Sequence, residues 1–532
     1  MYAKKLAQKQ NFVPLATVGQ PNQEANHGGG FSYIITPLDR LTRILILGSE
    51  KTYYQADEEQ NVLEHIEAMR EIITNDFHNA VMVINSLNTV TEGRPSRVVR
   101  KSGSIFALAV AATIADDKSK QDIVRNVLSF RRVVSTLRQM YDFVYNISVI
   151  NGGGKVKLKK WIRFAIAEWL NGMKNPAQQI VKYRSASYEG QKITAKDLIR
   201  LTHPKPQSEV HDAVFAYATS DKEPSLEYIR EFEILQSSKD HQEIIAILNN
   251  GAGHTWEEVP NTWFTETHKV ERSAIWKVLS GQMGSTALIR NIRRFQEYGL
   301  LDWDKPSPVR ENIEKALENV VRDRVHPIQV FQGLQVASNQ RLQHALNDGM
   351  QRAFGQFKVL EQNILVGVDV SGSMALGEVV GMKGCAPIDA EAFMLTAMMH
   401  QFVNYEVMAF SDTLTKVNVT KGDKYDAVQR ELRNRKFSDT SIGLLIDYAI
   451  KNRTKVDLFV VMTDNEVNAG SNSALLLERY RRDVNTNAKV VVIGFTATRF
   501  SAFNSDVPGV LNIAGLDAAT MQLIADFAEG TL

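Results

Sequence analysis

The spacing of hydrophobic residues changes near residue 360, and this change constrains the fold more than any other feature of the chain. Between about residues 37 and 350, apolar residues recur with helical spacing, as in DIVRNVLSFRRVVSTLRQMYDFVYN and STALIRNIRRFQEYGLL. After residue 360 short, continuously apolar runs appear, including NILVGVDV, VDLFVVMTD and AKVVVIGF, which is typical of central parallel strands. The sequence therefore predicts an all-helical domain at residues 1–360 and an α/β domain at residues 361–532.

Short breaker segments divide the helical part into many short predicted helices. NGGGK at 151–155 and HPKPQ at 203–207 are examples, because glycine and proline interrupt helices. Short helices in antiparallel succession pack readily as a curved stack of hairpins, so we predict a HEAT-like helical-repeat domain. In the α/β part, TLTKVNV at 413–419 is predicted to add an antiparallel edge strand to a doubly wound, Rossmann-type sheet.

Oxygen-bearing side chains follow two of the predicted strands and occupy one loop of the α/β domain. Asp369, Ser371 and Ser373 follow the first strand, Thr440 lies in KFSDTSIG, and Asp464 ends VDLFVVMTD. Ligands of open α/β sheets bind beyond the carboxyl ends of the strands, so we expect these five side chains to meet. Their oxygens suit a hard divalent cation, with Mg²⁺ preferred and Ca²⁺ or Mn²⁺ as alternatives. Turn capping by Asp369 and Ser371 is the simpler interpretation, but it does not require Thr440 and Asp464.

Positive charge is concentrated in one window of the helical part. Residues 361–532 carry 16 basic and 21 acidic residues, a net charge of −5, whereas the rest of the chain carries +7. Residues 155–205 alone contain 12 basic and 3 acidic residues, a net charge of +9. This concentration indicates a polyanionic partner, although solvated helix faces are the alternative interpretation.

Within and beyond this window, clustered basic residues are candidates for contact with RNA. Thr194 and Asp197 have the spacing of a capping box, so a helix is predicted to begin near Ala195. Helical spacing then places Lys196, Arg200 and His203 on one face of that helix. Lysine and arginine neutralise phosphates, and Tyr183 in KYR can stack on an unpaired base. The candidates are Lys182, Arg184, Lys196, Arg200, His203, Arg290 and Arg293.

Several other classes of protein are disfavoured by the residues. The single cysteine, Cys385, excludes an internal disulfide and a zinc site made of several thiolates, and with the polar start MYAKKLAQKQ it favours the cytosol. No apolar stretch approaches the length of a membrane helix. A metal-dependent phosphotransferase would need a phosphate-gripping Lys or Arg at the cation site, and VSGSM and TDNEVNAG contain none, so we expect no enzymatic activity. A metal-dependent protein-interaction scaffold without specific RNA binding remains an alternative function.

DVSGSM with the later loop threonine and TDNE resembles the metal-ion-dependent adhesion site of a von Willebrand factor A domain. Four stretches in order, LTRILILGSEKTYY, KYR…AKDLIRLTHPKP, GSTALIRNIRRFQEYGLL and RVHPIQVFQGL, are similar to the TROVE module of the Ro autoantigen family, as in a bacterial member. An A domain follows that module in Ro proteins, so the resemblance spans nearly the whole chain.

The resemblance implies a helical ring that is monomeric and cytoplasmic. In that family the outer basic surface binds small structured Y RNAs, and the central hole takes single-stranded 3′ ends of misfolded or damaged non-coding RNA. It further implies a role in RNA quality control, processing and stress survival, an exoribonuclease partner in bacteria, and an acidic protein ligand at the metal site. Residues near the N-terminus are expected to pack on the A domain, with PNQEANHGGGFSY at 21–33 as a flexible approach to the first helix.

One departure from the family concerns the stretch between KYR and AKDLIRL. It reads SASYEGQKIT and lacks a tryptophan-and-histidine pair that is associated with animal members. Either a contact with RNA is missing there or Tyr188 replaces it.

Overall fold

The structure is a computed structural model whose described residues form two compact units. It describes residues 23–25, 31–47, 58–90, 97–98, 101–188, 191–220, 223–355, 357–376, 379, 385–435, 439–464, 473–495, 500–503, 507–515 and 519–530. The first unit, here the α/β unit, comprises Met1–Ala68, Val90–Val99 and Met350–Leu532. The second, here the helical unit, comprises Met69–Thr89 and Arg100–Gly349.

The N-terminal elements belong to the α/β unit, whereas the sequence assigned residues 1–360 to an all-helical domain and predicted only that the N-terminal residues pack on the A domain. These elements are β1 (Gln23–Ala25), β2 (Phe31–Ile34) and α1 (Pro37–Leu47). β2 pairs antiparallel with β1 and with Phe500–Ser501, and α1 packs on Val510–Ala514. The prediction of a flexible approach is therefore wrong for the described residues of 21–33, because pairing with the α/β unit satisfies their backbone groups.

Short helices make up nearly all of the next part of the chain. They are α2 (Glu58–Asn75), α3 (Phe77–Leu87), α4 (Ser102–Ile114), α5 (Lys118–Ser129), α6 (Leu137–Ile150), α7 (Lys160–Asn171), α8 (Pro176–Lys182), α9 (Ala195–Thr202), α10 (Glu209–Thr219), α11 (Glu227–Ser237), α12 (His241–Asn249), α13 (Lys269–Gln282), α14 (Ser285–Arg290), α15 (Ile292–Glu297), α16 (Pro308–Glu318), α17 (Pro327–Val336) and α18 (Gln340–Phe354). Polar caps and N-terminal prolines start many of them; Thr136 and Thr194, for example, each complete a capping box.

Packing between neighbouring helices builds the core of the helical unit. α4 packs on α6, α5 on α7, and α7 on α9, as expected for a stack of hairpins. One antiparallel β-hairpin interrupts the helices, β3 (Ser185–Tyr188) and β4 (Gln191–Thr194), and the sequence did not indicate it. The predicted helical character of this part is otherwise confirmed.

A six-stranded sheet organises the C-terminal part, which confirms the predicted α/β class. Its elements are β5 (Leu360–Asp369), α19 (Pro387–Gln401), β6 (Phe402–Phe410), β7 (Leu414–Lys416), α20 (Tyr425–Arg433), α21 (Gly443–Lys451), β8 (Leu458–Thr463), α22 (Ser473–Asp483), β9 (Lys489–Gly494), β10 (Phe500–Ser501), β11 (Val510–Ala514) and α23 (Thr520–Glu529). The strand order is β11-β9-β8-β5-β6-β7, parallel except for β7, which is the predicted antiparallel edge strand. Central strands β8 and β9 are buried on both faces, which explains their continuous apolar runs.

Candidate functional site

The candidate cation site lies at the carboxyl edge of the sheet, where the strand order reverses between β5 and β8. β5 pairs with β6 on one side and with β8 on the other, and both pairings are parallel. Asp369 is the last residue of β5, and Asp464 directly follows β8. This position is the usual ligand crevice of an open parallel sheet.

Hydrogen bonds bring three of the five predicted cation ligands together. The backbone N–H of Ser371 donates to Asp369 Oδ1 at 2.9 Å, and the Ser371 and Ser373 hydroxyl oxygens are 3.1 Å apart. All three side chains are buried, with at most 5% of Ser373 exposed. A short helical turn at Gly372–Ala375 follows Ser371 and includes Ser373, which keeps the two hydroxyls close together.

The remaining two predicted ligands are buried at the same edge. Asp464 lies close enough to Asp369 for their charges to interact. Thr440 is buried in the loop before α21, and the N–H of its neighbour Ser441 donates to the carbonyl of Ser411, the residue after β6, at 2.9 Å. The structure thus places all five predicted residues at the carboxyl ends of β5, β6 and β8.

The electrostatics of this edge fit a bound cation. Burial, and then the neighbouring Asp464 carboxylate, raise the pKa of Asp369 despite hydrogen bonds that favour its charged form. A hard divalent cation would relieve the repulsion between the two carboxylates, and hydroxyl oxygens are ligands that Mg²⁺ accepts. Because only two of the five predicted ligands are carboxylates, the ion would keep enough positive charge to bind water or an external carboxylate. Ca²⁺ and Mn²⁺ accept the same donors.

Two residues of this site were not predicted from the sequence. Thr463 donates its hydroxyl hydrogen to Asp369 Oδ2 at 2.6 Å, and Glu391 Oε1 accepts the N–H of Asp369 at 2.8 Å. Glu391 lies in α19, which is buried on nearly all sides, and burial followed by the charge of Asp369 raises its pKa well above the usual range. An acid inside so apolar a helix was the signal that could have identified it.

The first group of predicted RNA contacts lies on α9 and the residue after it. The predicted capping box is present, since Thr194 Oγ1 accepts from the N–H of Asp197 at 3.1 Å and Asp197 accepts from Thr194 N–H at 2.9 Å. Lys196 is half-buried and Arg200 is exposed one turn later. The helix ends at Thr202, and His203 takes a left-handed conformation with φ of 46°. Helical spacing therefore does not place the exposed His203 ring on the face of the other two.

The KYR segment at the end of α8 holds two further predicted contacts. Lys182 pairs with Glu257 at 3.2 Å, so this cation is already partly neutralised. Arg184 is exposed, and its guanidinium lies 5.1 Å from the Phe232 ring centroid and donates to Gln236 Oε1 at 3.1 Å. Arg184 and Lys196 line the same cavity, which brings the KYR segment and α9 together.

The last two predicted RNA contacts lie in a different part of the helical unit. Arg290 and Arg293 are exposed on α14 and α15, which pack on α16 and α17. Arg293 pairs with Glu297 at 2.8 Å. The neighbouring Arg294 lies instead against two indole rings, with its guanidinium 4.3 Å from the Trp256 ring centroid. Arg294 therefore contributes to the packing of the unit.

Tyr188, the suggested substitute for a missing RNA contact, is engaged within the protein. Its ring stacks on Tyr145 at a centroid distance of 4.1 Å, and its hydroxyl donates to Asp142 Oδ1 at 2.6 Å. The Arg138 guanidinium lies 5.3 Å from the same ring. These contacts hold the β3–β4 hairpin on α6.

The chain is similar to proteins with a TROVE domain followed by a von Willebrand factor A domain. The family model for the TROVE domain matches residues 29–363, and the model for the Ro60 vWA domain matches residues 363–528. The RNA-binding protein RO60 of Deinococcus radiodurans is 25% identical over 528 residues, covering 96% of each chain. The RNA-binding protein RO60 of Caenorhabditis elegans is 24% identical over 600 residues, covering 96% of this chain and 90% of that protein.

A solved structure shares the fold. The crystal structure of the Ro (RSR) protein of Deinococcus radiodurans superimposes with a TM-score of 0.68 at 23% identity, covering 93% of this chain and all of that one. Within the described residues no helix is both long and apolar enough to cross a bilayer.

Proposed function

The chain belongs to the TROVE-domain family of Ro proteins, and on this premise we propose that it binds RNA and performs no chemistry on it. The relatives from Deinococcus radiodurans and Caenorhabditis elegans are both named RNA-binding proteins, which supports RNA as the polyanion that the basic window indicates. The α/β unit would serve as an interaction module.

The observation that carries this proposal is a set of exposed cations without anionic partners in the helical unit. Within the described part of the chain none of them forms an ion pair, so each can meet a phosphate without first losing a carboxylate. Exposed cations such as Lys277 and Lys315, unpaired among the described residues, also occur elsewhere in the helical unit, but the following seven are concentrated in the basic window. They are Lys155, Lys157, Arg163, Lys174, Lys192, Arg200 and Lys205.

The proposed ligands are those of the family. Small structured Y RNAs would bind the outer basic surface, and single-stranded 3′ ends of misfolded or damaged non-coding RNA would enter a central hole of a monomeric ring. Phosphate contacts would hold structured RNA, and bases would be read only where they are unpaired. This division suits RNA quality control and processing in the cytoplasm, with an exoribonuclease as the partner that degrades the RNA.

The proposed role of the α/β unit depends on a divalent cation, Mg²⁺ in the first instance. Asp369, Ser371, Ser373, Thr440 and Asp464 would hold it, and the cation would supply an open coordination position for a carboxylate. Glu391 and Thr463 support this role, because they hold the backbone and the side chain of Asp369 in place. An acidic side chain of a protein partner would complete the coordination.

Filter binding tests the RNA proposal. The full chain is titrated against a short hairpin RNA with a single-stranded 3′ tail, alongside a Lys196→Ala/Arg200→Ala variant. Losing two phosphate contacts is expected to weaken binding about tenfold and to flatten its dependence on salt. The matched control is Lys277→Ala/Lys315→Ala, which removes two exposed, unpaired lysines of the helical unit outside the window.

The outcomes separate the functions considered. RNA binding only above the micromolar range, without dependence on salt, contradicts the proposal and favours a protein-interaction scaffold. An equal loss in both double variants shows that the basic window has no special role. Turnover of nucleotides or phosphoesters with Mg²⁺, abolished by Asp369→Asn, would identify a phosphotransferase.

A further inference from the structure

A cavity of about 820 Å³ opens in the helical unit next to the basic window. One wall comes from the end of α8, from β4 and from the start of α9; the opposite wall comes from α10 and α11. Its volume lies in the range of ligand pockets, roughly 300–1,000 Å³.

The first wall is cationic. It carries Arg184 and Lys196, which come from different elements. Neither forms an ion pair with a described residue: the neutral Gln236 amide oxygen is the only hydrogen-bond acceptor of Arg184, and Lys196 has none. Two unneutralised cations at one mouth are suited to a phosphate group.

The opposite wall carries Glu233 and, one turn earlier on the same helix, Arg230; no described residue forms an ion pair with the Glu233 carboxylate. Glu233, on α11, accepts a hydrogen bond from the Tyr217 hydroxyl at its Oε1 atom. Among the described residues its Oε2 atom has no donor and no basic partner. Burial, and then the bond to Glu233, raise the pKa of Tyr217, so the phenol stays protonated and donates to Oε1. Because Glu233 lines the cavity, Oε2 remains available as a hydrogen-bond acceptor for a ligand.

Apolar surface lies beside this acceptor. Ile234 lines the cavity and is 41% exposed, so its side chain offers apolar surface to a ligand there. The cavity thus presents cations, an apolar patch and a hydrogen-bond acceptor in one space.

We propose that this cavity binds one unpaired nucleotide of RNA whose base carries an exocyclic amino group. Arg184 and Lys196 hold its phosphate, Ile234 contacts the face of the base, and Glu233 Oε2 accepts the amino hydrogen. Cytosine offers that N4 donor, whereas uracil presents a carbonyl oxygen that the carboxylate repels. The inference rests on the proposed RNA binding and adds a preference between bases to it.

The test compares two RNAs that differ in this one group. Fluorescence anisotropy measures binding of the full chain to hairpin RNAs with single-stranded tails of cytidine or of uridine. We expect the cytidine tail to bind about tenfold more tightly, since hydrogen bonds to charged groups are among the stronger ones. In Glu233→Gln the side-chain amide can also donate to uracil, so the preference for cytidine is expected to disappear. Glu227→Gln, an exposed carboxylate on the same helix and outside the cavity, is the control and keeps the preference.

Photocrosslinking with 5-iodocytidine in the tail gives a second measurement that needs no variant. Crosslinks within residues 217–237 support the proposal, and crosslinks confined to other regions overturn it. Equal affinity of the wild-type protein for both tails, or an unchanged preference in Glu233→Gln, also overturns it while leaving RNA binding intact. Absence of binding to either RNA instead overturns the proposed function itself, and this inference with it.

Discussion

The two units place their functional charges in opposite ways. The α/β unit buries Asp369 and Asp464 together at one sheet edge, whereas the helical unit keeps cations such as Lys192 and Arg200 in solvent. Burial strengthens electrostatic interactions but carries a desolvation cost, so it suits a compact ion that the charges can surround. Exposure avoids that cost and suits an extended polyanion, whose binding is driven largely by release of counterions.

The helical unit also contains a buried charge cluster, and there every charge is partnered within the chain. His254 is fully buried, with Nδ1 2.6 Å from Glu258 Oε2 and Nε2 3.0 Å from Glu231 Oε2. The Tyr228 hydroxyl donates to the Glu258 carboxylate at 3.0 Å. This structural cluster is therefore satisfied internally, whereas a cation from outside would relieve the repulsion between the like charges of Asp369 and Asp464.

The largest effect that we expect is the salt dependence of RNA binding. If at least six exposed cations contact phosphates, affinity should fall about 10³-fold between roughly 50 and 200 mM salt. Filter binding across this range measures the slope. An RNA affinity that does not change with salt concentration would contradict this comparison, because the helical unit would then not bind RNA through exposed charges.

Removing the buried histidine should have the next largest effect. His254→Ala leaves Glu231 and Glu258 facing each other without the imidazole, which should lower the free energy of unfolding by about 3 kcal/mol. Urea unfolding followed by circular dichroism measures the change. His344→Ala, which removes an exposed histidine of the same unit, should be nearly neutral.

The same cluster makes stability depend on pH. Burial lowers the pKa of His254, but the hydrogen bonds to Glu258 and Glu231 outweigh it and the net pKa is raised. A raised folded-state pKa stabilises the protein fully below the unfolded value of about 6.5, and this contribution is lost as pH rises through the folded-state value. Unfolding measured across this interval should show the decline in the wild-type protein and not in His254→Ala.

Cation binding should stabilise the α/β unit by a comparable or smaller amount. At a Mg²⁺ concentration about 100 times its dissociation constant, the gain should be about 2.7 kcal/mol. Thermal melting with Mg²⁺ or with EDTA measures it. Asp369→Asn should abolish the gain, whereas Glu361→Gln, which removes an exposed carboxylate near the other end of β5, should retain it. RNA affinity should be the same in both variants; a loss confined to Asp369→Asn would link the two units' functions.

The smallest effect that we expect is a difference in RNA affinity between alanine variants of two neighbouring arginines. Arg290 has no ion pair among the described residues, whereas Arg293 must give up Glu297 to reach a phosphate. Arg290→Ala should therefore weaken RNA binding by about 1 kcal/mol, and Arg293→Ala by less. The reverse order would show that ion pairing within the protein does not govern which cations contact RNA.

Local sequence patterns predicted much of this architecture. Helical spacing before residue 350 and apolar runs after 360 indicated the two fold classes, and the spacing of Thr194 and Asp197 located the start of α9. Asp369, Ser371 and Ser373 could be grouped because they are close in sequence and follow one strand. These features depend on neighbouring residues and on the period of the backbone, which a sequence displays directly.

Tertiary structure decided the features that join distant residues. Only packing brings Glu391 to the backbone of Asp369, sets Arg184 and Lys196 across a cavity from Glu233, and turns His203 away from the helix that spacing had extended through it. The sequence likewise did not show which cations are paired and which are free. An ion pair such as Lys182 with Glu257 forms only because α8 packs against a turn far along the chain. The sequence by itself determined most of the secondary-structure types and the five candidate ligands of the cation site. Folding decided which charges are buried, partnered or open to a ligand, since desolvation and proximity exist only once the chain is packed.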